Sequence, residues 1–206
     1  MVIRFETFVD FMMATGTNKV DIARSAADPK RAGFDFYQDL RGAIRDDGGL
    51  EWKESEARGD ARKVKLYPRL IEGYQDVVAK EAKFGIRPMT PLLRSRALRL
   101  GDIEVDASFD VTFGAIDYRL YFNGEAMSRT RTELAFALLS MAAPGRVVGI
   151  IDVKRKRIRS SSFIEPDAFP RLGLRAASAR SQPTALALAR TVIHAEAAAF
   201  AIMARG

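Results

Sequence analysis

Residues 147–159 bring together the side chains of this sequence that are best suited to chemistry. The apolar first half of the stretch ends in the triplet Asp152-Val153-Lys154. This triplet allows carboxylate–lysine chemistry with a hard cation such as Mg²⁺. The second half is the densest cluster of positive charge in the chain and contains Lys154, Arg155, Lys156, Arg157 and Arg159. Such a cluster indicates contact with a polyanion.

The residue types that the chain lacks exclude several kinds of site. There is no cysteine, so disulfides, thiolate zinc sites and cysteine nucleophiles are excluded. His194 is the single histidine, which excludes any site that needs two imidazoles and leaves one position for a Ser-His-Asp arrangement. The apolar neighbours of His194 favour a core or interface residue. Catalysis would therefore depend on carboxylates with a hard metal, lysine, arginine and hydroxyl groups.

The formal net charge of +7 is concentrated in one segment. Residues 1–90 have 16 Lys+Arg and 15 Asp+Glu, residues 91–145 have 6 and 7, and residues 191–206 have one of each. Residues 146–190 have 10 Lys+Arg against 3 Asp+Glu, so this segment accounts for the whole excess. A localised excess indicates a phosphate-rich or otherwise acidic partner more directly than a high pI does.

Apolar side chains at a spacing of three to four residues predict that the N-terminal part is mainly helical. The predicted helical segments are an amphipathic helix in 1–16 rather than a signal peptide, a short helix at 19–27, a stripe from Phe34 to Ile44, and a helix with Pro68 in its first turn. Glycine and proline residues at 85–91 indicate a boundary or elbow. The sequence therefore divides into a helical region, 1–87, and an α+β region, 92–206, with one compact domain as the open alternative.

From residue 92 the apolar pattern changes to alternation, which predicts strands. The predicted elements are a strand at 93–100, a tight turn at Gly101-Asp102, strands at 103–113 and 116–122, a helix at 128–141 capped by Ser128, a strand with its core part at 147–151, and a helix at 183–204. These elements predict an α+β fold with a helical N-terminal half, an antiparallel three-stranded meander, a crossover helix, a fourth strand and a long C-terminal helix.

Acidic residues lie on the predicted second, third and fourth strands. They are Asp106 and Asp110, then Asp117-Tyr118-Arg119, then Asp152-Val153-Lys154. With the order of three strands, helix and strand, they resemble the core of the PD-(D/E)xK nuclease superfamily over residues 70–159. In that family a second-strand Asp and a third-strand (D/E)xK bind Mg²⁺, and the lysine helps to generate the attacking hydroxide. The resemblance implies a Mg²⁺-dependent nuclease with catalytic Asp117, Asp152 and Lys154 and with Asp106 and Asp110 as metal ligands.

The sequence departs from the family pattern at three points. No proline precedes Asp106 or Asp110, arginine replaces lysine in the third-strand triplet, and the triplet with a lysine lies one strand later. The alternative without catalysis is cross-strand ion pairing on a solvated sheet face. Its acidic partners would be Glu104, Asp106, Asp110 and Asp117, and its basic partners would be Arg119, Lys154 and Lys156.

Three other segments, 35–41, 70–74 and 116–122, resemble blocks of a family of uncharacterised bacterial proteins. This second resemblance implies no activity.

If the basic run of 154–159 stays extended, its side chains alternate between the two faces of a strand. One face would then neutralise carboxylates while the other remains available to phosphates. The candidate nucleic-acid-binding residues are Arg155, Lys156, Arg157 and Arg159. The open alternative is an edge strand whose charges increase solubility and discourage edge pairing.

The sequence leaves three function classes open. The leading one is a binding module whose basic face contacts nucleic acid or an acidic protein. The others are the Mg²⁺-dependent nuclease and an oligomeric structural or regulatory protein assembled through the Ala-rich helix 183–204. No apolar run reaches membrane-spanning length without charges, so no membrane partner is predicted and the expected location is the cytoplasm.

Overall fold

The computed structural model of the protein describes residues 1–28, 36–47, 60–83, 90–94, 96–113, 116–122, 128–160 and 182–205. Within these ranges the chain has the α+β fold that the sequence predicts. The elements in chain order are β1 (Val2–Arg4), α1 (Phe5–Met13), α2 (Thr17–Ala27), α3 (Gln38–Asp47), α4 (Ala61–Lys83), β2 (Thr90–Arg94), β3 (Ala97–Leu100), β4 (Ile103–Asp106), β5 (Phe109–Phe113), β6 (Ile116–Tyr121), α5 (Arg129–Ala142), β7 (Val148–Asp152), β8 (Arg157–Ser160) and α6 (Gln182–Arg205). The predicted elbow at 85–91 lies largely outside the described residues.

A long, bent hairpin connects the two sheets of the fold. One arm contains β2 and β3, the other contains β4 and β5, and the turn Gly101-Asp102 joins them. Near the turn the arms belong to a sheet of order β1-β4-β3, and farther away they belong to a sheet of order β2-β5-β6-β7-β8. The predicted tight turn is confirmed, and Gly101 has the positive φ, +62°, that glycine tolerates best.

The crossover through α5 makes β6 and β7 parallel neighbours. Ser128 begins α5 by accepting a hydrogen bond from the backbone N–H of Arg131 at 3.2 Å, as predicted for a cap. Residues 148–151 of β7 are buried, but Val147, which was also predicted to be core, is 39% exposed. Val147 is exposed because it precedes the strand.

The five-stranded sheet is covered by helices on both faces, so the fold has two hydrophobic cores. One core joins α1, α5 and α6 to the sheet and includes Phe11 and Phe200, whose ring centroids lie 4.8 Å apart. The other joins α3 and α4 to the sheet and includes Leu40 and Tyr67. This double covering buries Asp117 and Arg119 on β6, so the prediction of a solvated sheet face is wrong there.

The N-terminal segment begins with a strand that the sequence pattern did not predict. Val2–Arg4 pairs in parallel with β4, and α1 follows from Phe5. A strand of three residues is too short for its alternation to be distinguished from the start of an amphipathic helix. The pairing also places residues 2–4 in a sheet with strands of the predicted α+β region.

Helix α4 begins at Ala61, so the prediction that Pro68 lies in its first turn is wrong. Asp60 caps the helix by accepting hydrogen bonds from the backbone N–H of Arg62 at 2.8 Å and of Lys63 at 3.4 Å. Pro68 lies inside the helix, where its ring is exposed and its missing N–H removes one intrahelical hydrogen bond.

The predicted C-terminal helix is confirmed as α6. Its buried face includes Ala189, Ile193 and Phe200, whereas Ile202 is 72% exposed. His194 is also exposed, so it is not a core residue, and its predicted alternative role at an interface stays a prediction. None of the helices in the described ranges is both long and apolar enough to cross a membrane.

A close approach between α4 and the chain after β7 depends on Gly73. A Cβ atom at this position would lie 2.4 Å from the carbonyl oxygen of Val153. This distance is much shorter than a van der Waals contact, so only glycine allows the helix and this backbone to pack as they do.

We expect Gly73→Ala to lower the free energy of unfolding by about 1–3 kcal/mol, because the added methyl group forces α4 away from Val153. Gly42→Ala in α3 is the matched control, since no atom lies within 4 Å of its added Cβ. That change should stabilise the protein by up to about 1 kcal/mol. Urea unfolding measures both, and equal stability of the two variants would contradict the packing argument.

Candidate functional site

The basic run forms a hairpin and is not an extended strand. Residues 153–156 turn the chain between β7 and the antiparallel β8, and we call residues 148–160 the basic hairpin. Lys156 closes the turn with a φ of +55°, and its backbone N–H donates to the Val153 carbonyl at 3.3 Å. The predicted alternation of side chains over 154–159 required an extended chain. This condition is not met, because residues 153–156 form the turn.

The carboxylate of Asp152 stabilises the conformation of this turn. It is 3% exposed, and its Oδ1 accepts the backbone N–H of Arg155 at 3.1 Å. Its Oδ2 accepts Nη1 of the same arginine, also at 3.1 Å. Lys154, the other polar member of the predicted triplet, is exposed. In this geometry Asp152 fixes the conformation of the turn and holds the Arg155 guanidinium close to it.

Lys156 attaches the turn to α4. Its Nζ donates to Oδ2 of Asp76 at 2.5 Å and lies 4.0 Å from Oε1 of Glu72. The hydrogen bond from Lys156 lowers the pKa of Asp76, and the same bond raises the pKa of Lys156. Together with the contact at Gly73, this ion pair docks the basic hairpin on α4.

Lys154 and Arg157 of the basic hairpin face solvent. Lys154 lies in the turn and Arg157 begins β8, while Arg155 and Lys156 are half-buried. The side chain of Arg159 lies outside the described part of the structure. Strand β8 is the edge strand of the five-stranded sheet, which is the position that the solubility alternative requires.

A second group of exposed cations, which sequence reasoning missed, lies on α4. Arg62, Lys65 and Arg69 follow one another at spacings of three and four residues, so they share one face of the helix. We call these three residues the α4 row. The spacing was a readable signal, but a helix with Pro68 in its first turn, as predicted, leaves Arg62 and Lys65 outside the helix.

Asp106 and Asp117 have separate partners at different places in the sheet. Oδ1 of Asp106 accepts the backbone N–H and the hydroxyl group of Ser108, at the bend between β4 and β5. Asp117 is fully buried and lies 2.8 Å from Nε of Arg146, and it accepts the Thr112 hydroxyl at 3.0 Å. The structure therefore does not bring these two carboxylates together.

Asp110 belongs to a buried ionic network with Glu6, Arg41 and Arg119. Arg41 donates to Oδ2 of Asp110 at 2.5 Å and to Oε1 of Glu6 at 3.2 Å. Arg119 donates to both carboxylate oxygens of Glu6, at 3.1 and 3.2 Å. Asp110 also accepts the backbone N–H of Leu120 at 2.8 Å. The prediction that Asp110 lies on a solvated face is wrong, because α1 and α3 bring charged partners onto it.

The network controls the ionisation of Glu6. Burial by itself would raise the pKa of this carboxyl, but the guanidinium groups of Arg119 and Arg41 more than offset it and hold the pKa at about 2. Burial, with a smaller contribution from the negative charge of Asp110, raises the pKa of Tyr74 to about 12. Glu6 is therefore ionised and Tyr74 neutral at physiological pH.

The four carboxylates that the nuclease resemblance requires are engaged by different groups. Asp110 pairs with Arg41, Asp117 with Arg146 and Asp152 with Arg155, while Asp106 is bound by Ser108. Across the described ranges, no three histidine, aspartate or glutamate side chains are grouped so that they could hold a metal ion. A cavity of about 10 Å³ between α1, α5 and the sheet has room for about one water molecule.

Comparison with known proteins does not place the chain in a family. No protein-family model matches it, and no curated protein or solved structure matches it significantly. The argument for function therefore rests on the geometry of the described residues.

The lowered pKa of Glu6 predicts a pH-dependent contribution to stability. Because the folded-state pKa, about 2, lies below the ordinary value of 4.5, the network stabilises the fold above about pH 4.5. This contribution is lost as the pH falls from 4.5 to 2. Glu6→Gln should lower the free energy of unfolding by about 3–5 kcal/mol at pH 7, because it leaves the buried Arg119 guanidinium without its carboxylate and Arg41 with Asp110 alone.

Urea unfolding between pH 7 and 2 provides the measurement. The stability difference between wild type and Glu6→Gln should shrink steadily below pH 4.5, as the wild-type carboxyl is protonated. Glu72→Gln is the matched control, since Glu72 is an exposed α4 residue and its variant should follow the wild type at every pH. A difference that stays constant down to pH 2 would refute the ionic role of Glu6.

Proposed function

We propose that the protein binds the phosphate backbone of nucleic acid through the basic hairpin. The observation that carries the proposal is the exposure of Lys154 and Arg157. Lys154 lies in a turn that the fold holds in place, and Arg157 directly follows this turn. Lysine and arginine are the side chains that contact phosphate most often and provide the sequence-independent part of nucleic-acid affinity.

The carboxylates nearest to the turn support this proposal. Asp152 is paired with Arg155, and Asp76 is paired with Lys156. These negative charges are therefore offset within the fold, and the charges of Lys154 and Arg157 remain directed at solvent. A positive potential at a surface turn attracts a phosphate chain over roughly a Debye length, about 10 Å at 0.1 M salt.

The turn is also held in one conformation before any ligand binds. Asp152 bonds the turn backbone, Gly73 allows α4 to pack against Val153, and Lys156 attaches the turn to Asp76. A pre-organised surface loses less conformational entropy on binding than a mobile one.

Nucleic acid is favoured over an acidic protein because the turn presents charge without an apolar anchor. Val153 is fully buried, and among residues 148–158, whose side chains are described, the two exposed ones, Lys154 and Arg157, are cationic. The core of a protein–protein interface is enriched in aromatic and apolar side chains. No observation favours the Mg²⁺-dependent nuclease as a second function. That alternative, oligomerisation through helix 183–204 and a cytoplasmic location stay predictions.

We expect a fluorescently labelled 20-bp DNA duplex to bind with an affinity that depends steeply on salt. For about five phosphate contacts, the affinity should fall by about five hundredfold between 50 and 200 mM salt. Lys154→Gln/Arg157→Gln should weaken binding by about ten- to a hundredfold at 100 mM salt, because two of these contacts are lost. Fluorescence anisotropy measures both quantities.

Arg24→Gln/Arg99→Gln is the matched control, because it removes the same charge from exposed positions on α2 and β3. It should change the affinity less than twofold. Binding that is independent of salt, or equal losses in the two double variants, would overturn the proposal. Retention of polyglutamate in place of DNA would indicate an acidic protein partner, and Mg²⁺-dependent cleavage that Asp117→Ala abolishes would indicate the nuclease.

A further inference from the structure

The α4 row lies on the helix to which the basic hairpin is docked. Arg62, Lys65 and Arg69 are exposed, and the side chain of Arg62 is 82% exposed. The helix rises about 1.5 Å per residue, so the row extends for about 10 Å along α4. These cations do not belong to the segment with the sequence charge excess, and only the fold brings them next to it.

The spacing along α4 and one close contact with the turn place the α4 row beside the basic hairpin. Arg69 lies four residues before Gly73, and residues at this spacing are neighbours on a helix surface. Gly73 is the position where α4 meets the Val153 backbone, and Lys154 follows directly. The end of the row at Arg69 is therefore adjacent to the turn that carries the exposed hairpin cations.

Lys156 offsets one of the two negative charges at the junction between the two groups of cations. Glu72 and Asp76 continue the same helix face beyond Arg69. Lys156 bonds Asp76 and lies 4.0 Å from Glu72. One net negative charge therefore remains at the junction, and the exposed cations of the α4 row and of the basic hairpin outnumber it.

We propose that the α4 row and the basic hairpin form one surface that binds a polymeric nucleic-acid backbone, an inference that rests on the proposed function. The backbone would run along α4 and cross the turn. From Arg62 to Gly73 the helix extends for about 16 Å, and one strand of a duplex advances 3.4 Å per phosphate. The surface therefore matches about five successive phosphates, which a mononucleotide does not provide.

The test measures how the affinity for a labelled 20-bp DNA duplex changes with salt. Each phosphate contact contributes about 0.9 to the slope of log affinity against log salt. The triple variant Arg62→Gln/Lys65→Gln/Arg69→Gln should reduce the slope by about 2.7, in addition to the reduction of about 1.8 in Lys154→Gln/Arg157→Gln. Glutamine has nearly the helix propensity of lysine and arginine, and urea unfolding checks that each variant is folded.

The matched control is Arg24→Gln/Arg99→Gln/Arg190→Gln, which removes three exposed cations from α2, β3 and α6. It should leave the slope within about 0.5 of the wild type. An unchanged slope in the α4 variant, with weakened binding in the hairpin variant, would overturn this inference and leave the proposed function standing. Equal slopes in the control and the α4 variant would also overturn it, because net charge alone would explain both. Unchanged binding in both the α4 and hairpin variants would refute the proposed function itself.

Discussion

The buried ionic network of Glu6, Arg41, Asp110 and Arg119 is the interaction on which the rest of the structure depends. It joins α1, α3 and two strands of the larger sheet, and its members are separated by up to 113 residues in sequence. Charges removed from water are very costly unless each has a partner of the opposite sign. Burial of the charged groups on the two strands therefore requires both helices in these positions.

This requirement divides the cations of the chain into two groups. Arg41 and Arg119 are buried and Arg146 lies at the surface, and all three compensate carboxylates of the fold. Lys154, Arg157 and the α4 row remain exposed. Within the described part of the chain, these five exposed cations lie where α4 and the basic hairpin meet. This division explains how one fold combines acidic residues on its strands with a basic surface on α4 and the basic hairpin.

The sequence predicts the elements of the fold well where local physics determines them. Alternation in 103–113 and the glycine turn before it specify the bent hairpin, and Ser128 specifies the start of α5. The three residues of β1 have no such signal, because a single parallel pairing with β4 creates this strand. The prediction that α4 starts near Pro68 is wrong, because the Asp60 cap and the buried face of the helix outweigh the cost of an internal proline.

The candidate site was predictable in part. The charge excess of 146–190 includes the basic hairpin on which the proposed function rests, and the expectation of an edge strand agrees with the position of β8. The conformation of the run was not predictable, because a positive φ at a lysine is stabilised here by Asp152 below the turn and by Asp76 on a distant helix. The partner of Asp110, a predicted metal ligand, was not predictable for a similar reason. Arg41 reaches the sheet from a helix far away in sequence.

The most direct test of the central claim is an NMR titration that follows the backbone amide signals of the protein as the 20-bp duplex is added. If nucleic acid binds where α4 and the basic hairpin meet, the largest shift changes should cluster in residues 62–69 and 153–157. Amides of the exposed face of α6 should stay unchanged at the same DNA concentration. Shift changes centred on α6, or none at concentrations that saturate binding, would contradict the account.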